Sequence, residues 1–200
     1  MRFQRHGLLL TLLGLGYIAI SVLAYYNVLL SNQPGDIFWF CYMSIFLIGI
    51  GMLGYNSSLI KSQLYIIMIP NLVWVLDFIS YFVLGHTLFG IVDYFFIPGK
   101  ILEKIISLQH IFTVPLALFV LFHLKKSPRK IWLVSCFQIA FIFIISRFLS
   151  GGENVNCVYH FCGRAAIPMY ELSWFIAFFV MIALADIIFS GLSKAFQRPI

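Results

Sequence analysis

The chain has 200 residues, of which 62% are hydrophobic and only 10% are charged. Soluble globular domains carry about 25% charged residues, and a mean hydropathy of +1.00 is that of a chain rich in membrane-embedded segments. The composition excludes a water-soluble enzyme, a disordered chain and a secreted disulfide scaffold. One helical span needs about 20 apolar residues, so the hydrophobic residues suffice for about six. The sequence predicts a single polytopic membrane domain over residues 1–200.

The first predicted span covers residues 7–30 and follows the basic residues Arg2 and Arg5. Small residues near Ala24 resemble a signal-peptide cleavage site, but the apolar stretch is longer than the apolar core of a signal peptide. An uncleaved first span is therefore the favoured interpretation. The turn-forming residues 31–36 end this helix.

Five further apolar segments predict the remaining helices. They cover residues 37–55, 63–84, 101–124, 131–149 and 169–192. The segment 85–100 contains apolar patches but is too short for another span, so it predicts an interfacial or re-entrant segment between the third and fourth spans. The predicted fold class is an all-α integral membrane protein with six transmembrane helices.

Basic residues indicate the orientation, because cytoplasmic loops of membrane proteins collect Lys and Arg. If both termini are cytoplasmic, six spans place nine of the thirteen basic residues inside. These nine are Arg2, Arg5, Lys61, Lys125, Lys126, Arg129, Lys130, Lys194 and Arg198. Topology thus explains the net charge of +6, and no nucleic-acid partner is expected. The prediction is a multi-pass protein of the inner (plasma) membrane, with the lipid bilayer as its partner.

Ionisable residues inside the spans point to a functional site, because a charge in hydrocarbon is costly. Asp77 and His110 lie at similar depths in the third and fourth spans, roughly 10 Å from the outer surface at 1.5 Å per residue. Since a short connection joins these spans, we expect an Asp–His pair. Glu103, Ser107 and Thr113 share a helical face with His110. This stripe forms either helix-packing contacts or the wall of a water-filled pocket.

The candidate catalytic residues are Asp77, His110, Ser107 and Glu153. His110, oriented by Asp77, would act as a general base and activate either Ser107 or a water molecule. Polar and aromatic residues of neighbouring outer segments are the candidate substrate-binding residues. They are Trp74, Tyr81, His86, Asp93, Glu103, Arg147, Asn154 and Asn156. The sequence predicts no metal ligands and does not identify a cofactor.

The loop after the fifth span carries Cys157 and Cys162. Outside the cytoplasm these residues can form a small disulfide loop. Two reduced thiols are the alternative. A zinc site that includes His160 is a third interpretation, although these ligands lack the usual separation.

Three short motifs resemble those of a family of small bacterial inner-membrane proteins. They are Trp74-Val75-Leu76-Asp77-Phe78, Ser107-Leu108-Gln109-His110 and Glu153-Asn154-Val155-Asn156. The similarity extends loosely over most of the chain, and Gly151-Gly152 stands where the family has Pro before the Glu. We know of no activity assigned to this family. The resemblance therefore implies which residues form the site, but it implies no reaction.

Three functions fit these features. The first is an intramembrane hydrolase or transferase acting on a lipid or lipid-linked substrate at the outer leaflet. The second is a small-solute transporter or permease, which would need polar residues through both halves of the bundle. The third is a non-enzymatic assembly partner. Because the inner half offers mainly Thr113, Gln138 and Asp186, we expect an enzyme before a transporter. The oligomeric state is not indicated.

Overall fold

A computed structural model describes residues 2–124 and 130–195, with side chains from residue 7 onward. Within these ranges all regular elements are helices. The α-helices are α1 (Arg2–Ser31), α2 (Phe40–Leu53), α3 (Ser57–Leu84), α4 (Asp93–Phe96), α5 (Ile101–Ser107), α6 (Gln109–His123), α7 (Trp132–Leu149) and α8 (Tyr170–Ala195). Short 3-10 helices cover Pro34–Phe38 and Val155–Cys157.

Five stretches of helix in the described chain are long and apolar enough to cross a membrane. They are Gly7–Ser31, Ser57–Leu84, Ile101–His123, Trp132–Leu149 and Tyr170–Ala195. The protein is therefore an all-α membrane protein. The second predicted span corresponds to α2, which is apolar but has only 14 residues. At 1.5 Å per residue α2 measures about 21 Å, which is less than the hydrocarbon thickness of about 30 Å.

The third span begins earlier than predicted. The side chain of Asn56 accepts a hydrogen bond from the Leu59 N–H at 3.0 Å and caps α3, so the helix starts at Ser57. Lys61 consequently lies within the helix and is only 6% exposed. Lys61 was expected in a loop and instead lies in the second turn of α3, because the capping residue upstream extends the helix past it.

Several other residues expected to mark the cytoplasmic side fall outside the described part of the chain. These are Lys125, Lys126, Arg129 and Arg198, together with the side chains of Arg2 and Arg5.

The connections divide the bundle into two ends. Residues 32–39, 85–100 and 150–169 meet at one end, which we call the long-loop end. Asn156 donates a hydrogen bond to the Phe38 carbonyl at 2.7 Å, and Arg164 contacts the Asp93 carboxylate at 2.9 Å. Between the two ends, successive long helices run in alternating directions.

The first two helices form an antiparallel pair that is closed by glycines. A Cβ on Gly49 would lie 2.9 Å from the Gly14 carbonyl oxygen, which is closer than real Cβ atoms approach. Small residues allow membrane helices this close contact. α3 packs against α2, α6, α7 and α8 and forms the centre of the bundle. The Tyr17 hydroxyl of α1 donates to the Thr113 carbonyl of α6 at 2.7 Å.

Candidate functional site

Asp77 binds the connection between α3 and α5. Its side chain is fully buried, and its carboxylate accepts hydrogen bonds from the N–H groups of Phe89 at 2.7 Å, Ile91 at 2.8 Å and Val92 at 3.1 Å. Hydrogen bonds to an ionised carboxylate are stronger than those between neutral groups. Asp77 therefore holds this connection against the bundle, and the segment contains only turns and the short helix α4.

The expected Asp77–His110 pair does not form in the described structure. Nδ1 of His110 lies 2.7 Å from the Ser107 carbonyl oxygen. Because that oxygen can only accept, Nδ1 carries the proton and Nε2 is the unprotonated nitrogen. The Gln109 amide nitrogen lies 3.1 Å from Nδ1 and 3.2 Å from Nε2. Since Nδ1 is itself a donor, only Nε2 can accept from this amide. The pairing was expected from matched depth alone, whereas the folded connection supplies N–H groups that occupy Asp77.

Trp74 links His110 to the segment between α3 and α5. The indole stacks on the imidazole with ring centroids 4.8 Å apart, and its Nε1 donates to the Tyr94 hydroxyl at 3.1 Å. The Tyr94 hydroxyl in turn donates to Ser107 Oγ at 2.9 Å. Ser107 is buried, and its main-chain oxygen is the atom that contacts His110. The hydroxyl of Ser107 is thus engaged with Tyr94, which does not support its expected role as a nucleophile activated by His110.

The polar stripe of the fourth span is divided rather than continuous. The helix is interrupted at Leu108, between α5 and α6. Glu103 forms an ion pair with Lys100 at 3.0 Å. Thr113 is fully buried, and its hydroxyl donates to the Gln109 carbonyl at 2.7 Å. Of the two interpretations of the stripe, these contacts favour helix packing.

A cavity of about 460 Å³ lies between α3, α6, α8 and the long loops; we call it the bundle cavity. Its volume is typical of small-molecule sites. Apolar and aromatic side chains dominate the wall, and none of the described residues that line it is Asp, Glu, Lys or Arg. The polar side chains in its wall include those of His110, Asn71, Asn156, Tyr170 and Ser173.

Asn71 is the residue of this wall that sequence reasoning missed. It is only 3% exposed, and its Nδ2 has no hydrogen-bond partner within the described structure. Buried polar groups without a partner are uncommon in folded proteins. The available signal was an uncharged amide inside a span, which the search for ionisable residues passed over.

Glu153 lies in a different cavity from His110. This second cavity, of about 490 Å³, is at the long-loop end and is lined by Asp36, Glu153 and His160 among others. Burial raises the pKa of Asp36, although the hydrogen bond from Trp39 opposes the shift. Glu153 Oε2 is buried without a hydrogen-bond partner in the described structure. The three residues of the predicted single site therefore do not share a cavity: His110 and Glu153 line different ones, and Asp77 lines neither.

Asn154 and Asn156 organise the loop that separates the two cavities. Asn154 Oδ1 accepts from the N–H groups of Tyr159 at 2.9 Å and His160 at 3.2 Å. Asn156 Oδ1 accepts from the Phe40 N–H at 2.8 Å. Cys157 and Cys162 are joined by a disulfide bond, which leaves no thiolate for zinc. These contacts give both asparagines a structural role, and each also lines one of the two cavities.

The remaining candidate binding residues are engaged in contacts at the long-loop end. Arg147 pairs with Glu171 at 2.8 Å and lies over the Tyr159 ring. His86 is exposed and bonds the Leu84 carbonyl at 3.2 Å. Tyr81 stacks on a phenylalanine of α4.

Asp93 forms a contact between two of the long loops. Its carboxylate accepts hydrogen bonds from the Thr87 hydroxyl and from Arg164 Nη2 at 2.9 Å. The Thr87 hydrogen bond, followed by the Arg164 guanidinium, lowers the pKa of Asp93. The Arg164 main-chain N–H also donates to the Phe89 carbonyl at 3.0 Å. Residues 85–100 and the loop before α8 are thereby joined.

The opposite end contains buried polar residues that the sequence analysis underestimated. Gln63 of α3 and Gln138 of α7 exchange amide hydrogen bonds at 2.9 and 3.1 Å, and Ser44 donates to Gln63 at 3.1 Å. The Tyr65 hydroxyl donates to Asp186 at 2.6 Å. Polar residues therefore occur in both halves of the bundle.

Neither metal geometry nor similarity identifies the chemistry. Within residues 2–124 and 130–195, no group of three or more His, Cys, Asp or Glu residues is arranged to hold a metal ion. No protein-family model, curated protein or solved structure matches this chain. Function must therefore be argued from the bundle cavity and its polar residues.

Proposed function

We propose that this protein is an intramembrane hydrolase or transferase that acts on a lipid or lipid-linked substrate with His110 as its general base. One observation carries the proposal: His110 lines the bundle cavity with its ring held in place. The Ser107 carbonyl accepts from Nδ1, and Trp74 stacks on the ring. Nε2 is thereby left as the nitrogen that can accept a proton.

A water molecule is the favoured nucleophile, because Ser107 Oγ is engaged with Tyr94. Nε2 would take a proton from this water as its oxygen attacks the carbonyl carbon of a lipid ester. The same proton would then pass to the departing alkoxide, which leaves as an alcohol. The Gln109 amide lies 3.2 Å from Nε2, so the water must displace this contact or share the nitrogen with it. In a transferase, the hydroxyl of an acceptor would replace the water.

A permease is the second candidate, because buried polar side chains also occur at the opposite end of the bundle. Gln63, Gln138 and Ser44 bond one another. Mutual hydrogen bonds of this kind are typical of contacts between packed membrane helices and do not indicate a path for a solute. The enzyme therefore remains our first proposal. Solute flux into vesicles that is lost in His110→Ala, without any lipid turnover, would reverse this order.

The enzyme proposal is tested with the purified protein in vesicles of phosphatidylethanolamine and phosphatidylglycerol that contain diacylglycerol. Release of fatty acid is followed by mass spectrometry. Loss of a general base lowers rates by about 10²–10⁴-fold, and we expect that loss for His110→Ala. His123→Ala is the matched control, since His123 lies at the other end of the same helix, is exposed and contacts the Phe119 carbonyl oxygen. Turnover by His110→Ala at the wild-type rate would overturn the proposal.

We further propose six spans with both termini cytoplasmic and the long-loop end on the outer side of the plasma membrane. The antiparallel packing of α1 and α2 supports this count, since the 3-10 helix Pro34–Phe38 precedes α2 and adds to its length. The test is labelling of intact cells with a membrane-impermeant maleimide. Ile97→Cys, exposed at the long-loop end, should react, and Tyr55→Cys, exposed at the opposite end, should not. The reverse pattern would contradict the orientation.

A further inference from the structure

We infer that the bundle cavity binds an uncharged lipid and that the Asn71 amide holds the polar group of this lipid. The inference extends the proposed function by naming the class of substrate. Its binding component does not depend on the role of His110.

The first support is the unused hydrogen-bonding capacity of Asn71. The residue lines the bundle cavity, is 3% exposed, and has an Nδ2 without a partner in the described structure. A side-chain amide offers two donors and an acceptor that takes two hydrogen bonds. Leaving these groups unused in an apolar cavity is costly. A ligand that enters the cavity would supply the missing partner.

A second buried amide on the same helix shows what helix packing alone requires. Gln63 of α3 is 1% exposed, and its side chain bonds Ser44, Ser62 and Gln138. Asn71 lies two helical turns further along α3, at similar burial, but faces the cavity without such partners. The contrast separates an amide that completes the fold from one that is available to a ligand.

The charge of the wall defines the class of ligand. None of the described residues lining the bundle cavity is Asp, Glu, Lys or Arg, and Nδ1 of the one imidazole in the wall, that of His110, is engaged with a main-chain carbonyl. A phosphate placed there would be desolvated without a counter-charge, which is strongly unfavourable. The part of the ligand inside the cavity is therefore uncharged, and the apolar wall matches acyl or isoprenoid chains.

The position of Asn71 relative to His110 indicates which polar group the bound lipid carries. Asn71 and Trp74 are three residues apart and share a face of α3, and Trp74 stacks on His110. Amide and imidazole thus lie along one wall. An ester carbonyl can accept from the amide while its carbon faces the base, and a free hydroxyl can also bond the amide. A neutral acylglycerol carries both groups, whereas an isoprenoid alcohol carries only the hydroxyl.

Binding is measured by native mass spectrometry of the full-length protein in detergent. The probes are dioleoylglycerol, dioleoyl phosphatidic acid with the same chains, and a long isoprenoid alcohol. We expect dioleoylglycerol to be retained at concentrations where phosphatidic acid is not. Equal retention of phosphatidic acid would overturn the assignment of an uncharged ligand. If the isoprenoid alcohol binds more tightly than dioleoylglycerol, the ester is not what is recognised and the acylglycerol assignment fails.

The role of Asn71 is tested with Asn71→Leu, which has similar size and no hydrogen-bonding group. One hydrogen bond corresponds to about a 10-fold change in affinity at most, so we expect dioleoylglycerol to bind about 3- to 10-fold more weakly. Without bound lipid, Asn71→Leu should melt at a higher temperature than the wild type, because an unpaired buried amide has been removed. Gln63→Leu is the matched control and should melt at a lower temperature with unchanged affinity. Unchanged affinity in Asn71→Leu would overturn the role of this residue.

The outcomes distinguish this inference from the proposed function. If dioleoylglycerol binds in an Asn71-dependent way but is not turned over, the inference stands and the enzyme proposal fails. If an ester is turned over in a His110-dependent way while Asn71→Leu binds and reacts normally, the enzyme proposal stands and the inference fails.

Discussion

The indole of Trp74 and the imidazole of His110 lie nearly parallel, with an angle of 15° and ring centroids 4.8 Å apart. Trp74 belongs to α3 and His110 to α6, so this stack joins the central helix to the helix that carries the proposed base. Through its Nε1, Trp74 also binds Tyr94, at the start of α4. One aromatic side chain therefore positions the candidate base and the connection beneath which Asp77 is buried.

Tyr94→Phe tests the hydrogen-bond chain that starts at Trp74. The substitution removes the acceptor for the Trp74 N–H and the donor to Ser107. Because a buried donor is left without a partner, we expect a loss of about 1–3 kcal/mol in the free energy of unfolding. The measurement is unfolding in detergent, followed by circular dichroism.

Tyr81→Phe is the control for Tyr94→Phe, since Tyr81 is 38% exposed and contacts its neighbours through its ring. It should have a free energy of unfolding close to that of the wild type. Equal stability of the two variants would show that the Trp74–Tyr94–Ser107 chain does not stabilise the protein.

Asp77→Asn tests whether Asp77 holds the connection between α3 and α5. The amide would keep one oxygen but direct an NH₂ group toward main-chain N–H donors. Hydrogen bonds to charged groups contribute about 1.5–3 kcal/mol, so we expect a loss of that order in stability. We also expect faster proteolytic cleavage within residues 85–100. A variant with wild-type stability and cleavage but no turnover would instead assign Asp77 to catalysis.

Asn156→Ala tests the loop between the two cavities. Asn156 has a φ of 54° and bonds Phe38, Phe40 and Ser146 through its side chain. Each buried group left unpaired costs about 1–3 kcal/mol, and we expect a loss of at least that size in the free energy of unfolding.

Asn156→Gly separates the backbone contribution from the side-chain contribution. Glycine loses the same hydrogen bonds but adopts a positive φ without strain. The left-handed conformation costs other residues about 1–2 kcal/mol. We therefore expect the glycine variant to unfold at a higher denaturant concentration than the alanine variant. The opposite order would show that Asn156 stabilises the loop without a conformational requirement.

The contact between Asp93 and Arg164 predicts a loop that loosens in acid. The pKa of Asp93 is lowered below its ordinary value of about 3.9. A lowered folded-state pKa contributes stability that is present above the ordinary value and is lost as the pH falls through the lowered one. Cleavage within residues 85–100 should therefore be constant from neutral pH to about 5 and increase below about 4.

Asp93→Asn is the control and should remove this dependence on pH. Global unfolding is a poorer readout, because burial raises the pKa of Asp36 and protonation of that group favours the folded state as the pH falls. An acid transition of the same size in Asp93→Asn would assign it to another group.

The membrane class and the helical segments could be predicted from the sequence. Apolar length alone located α1, the α5–α6 pair, α7 and α8 to within a few residues, because a helix in hydrocarbon must satisfy its own backbone and present apolar side chains. The helix α3 begins before the predicted apolar span, because the Asn56 cap operates locally and lets Lys61 enter the helix. Asp77 and His110 were selected because ionisable groups are costly in a membrane.

Tertiary structure decided the partners of these groups. Helical periodicity places Asp77 and His110 at matched depths, but a hydrogen bond requires its heavy atoms within about 3 Å. The folding of residues 85–100 determined that Asp77 meets three main-chain N–H groups, and the position of Trp74 determined the plane of His110. Likewise, only the packed bundle distinguishes Gln63, whose amide is bonded, from Asn71, whose amide lines the cavity. Composition and length indicate whether a segment lies in the membrane or in water. Hydrogen-bond partners depend on interatomic distances, which only the packed chain defines.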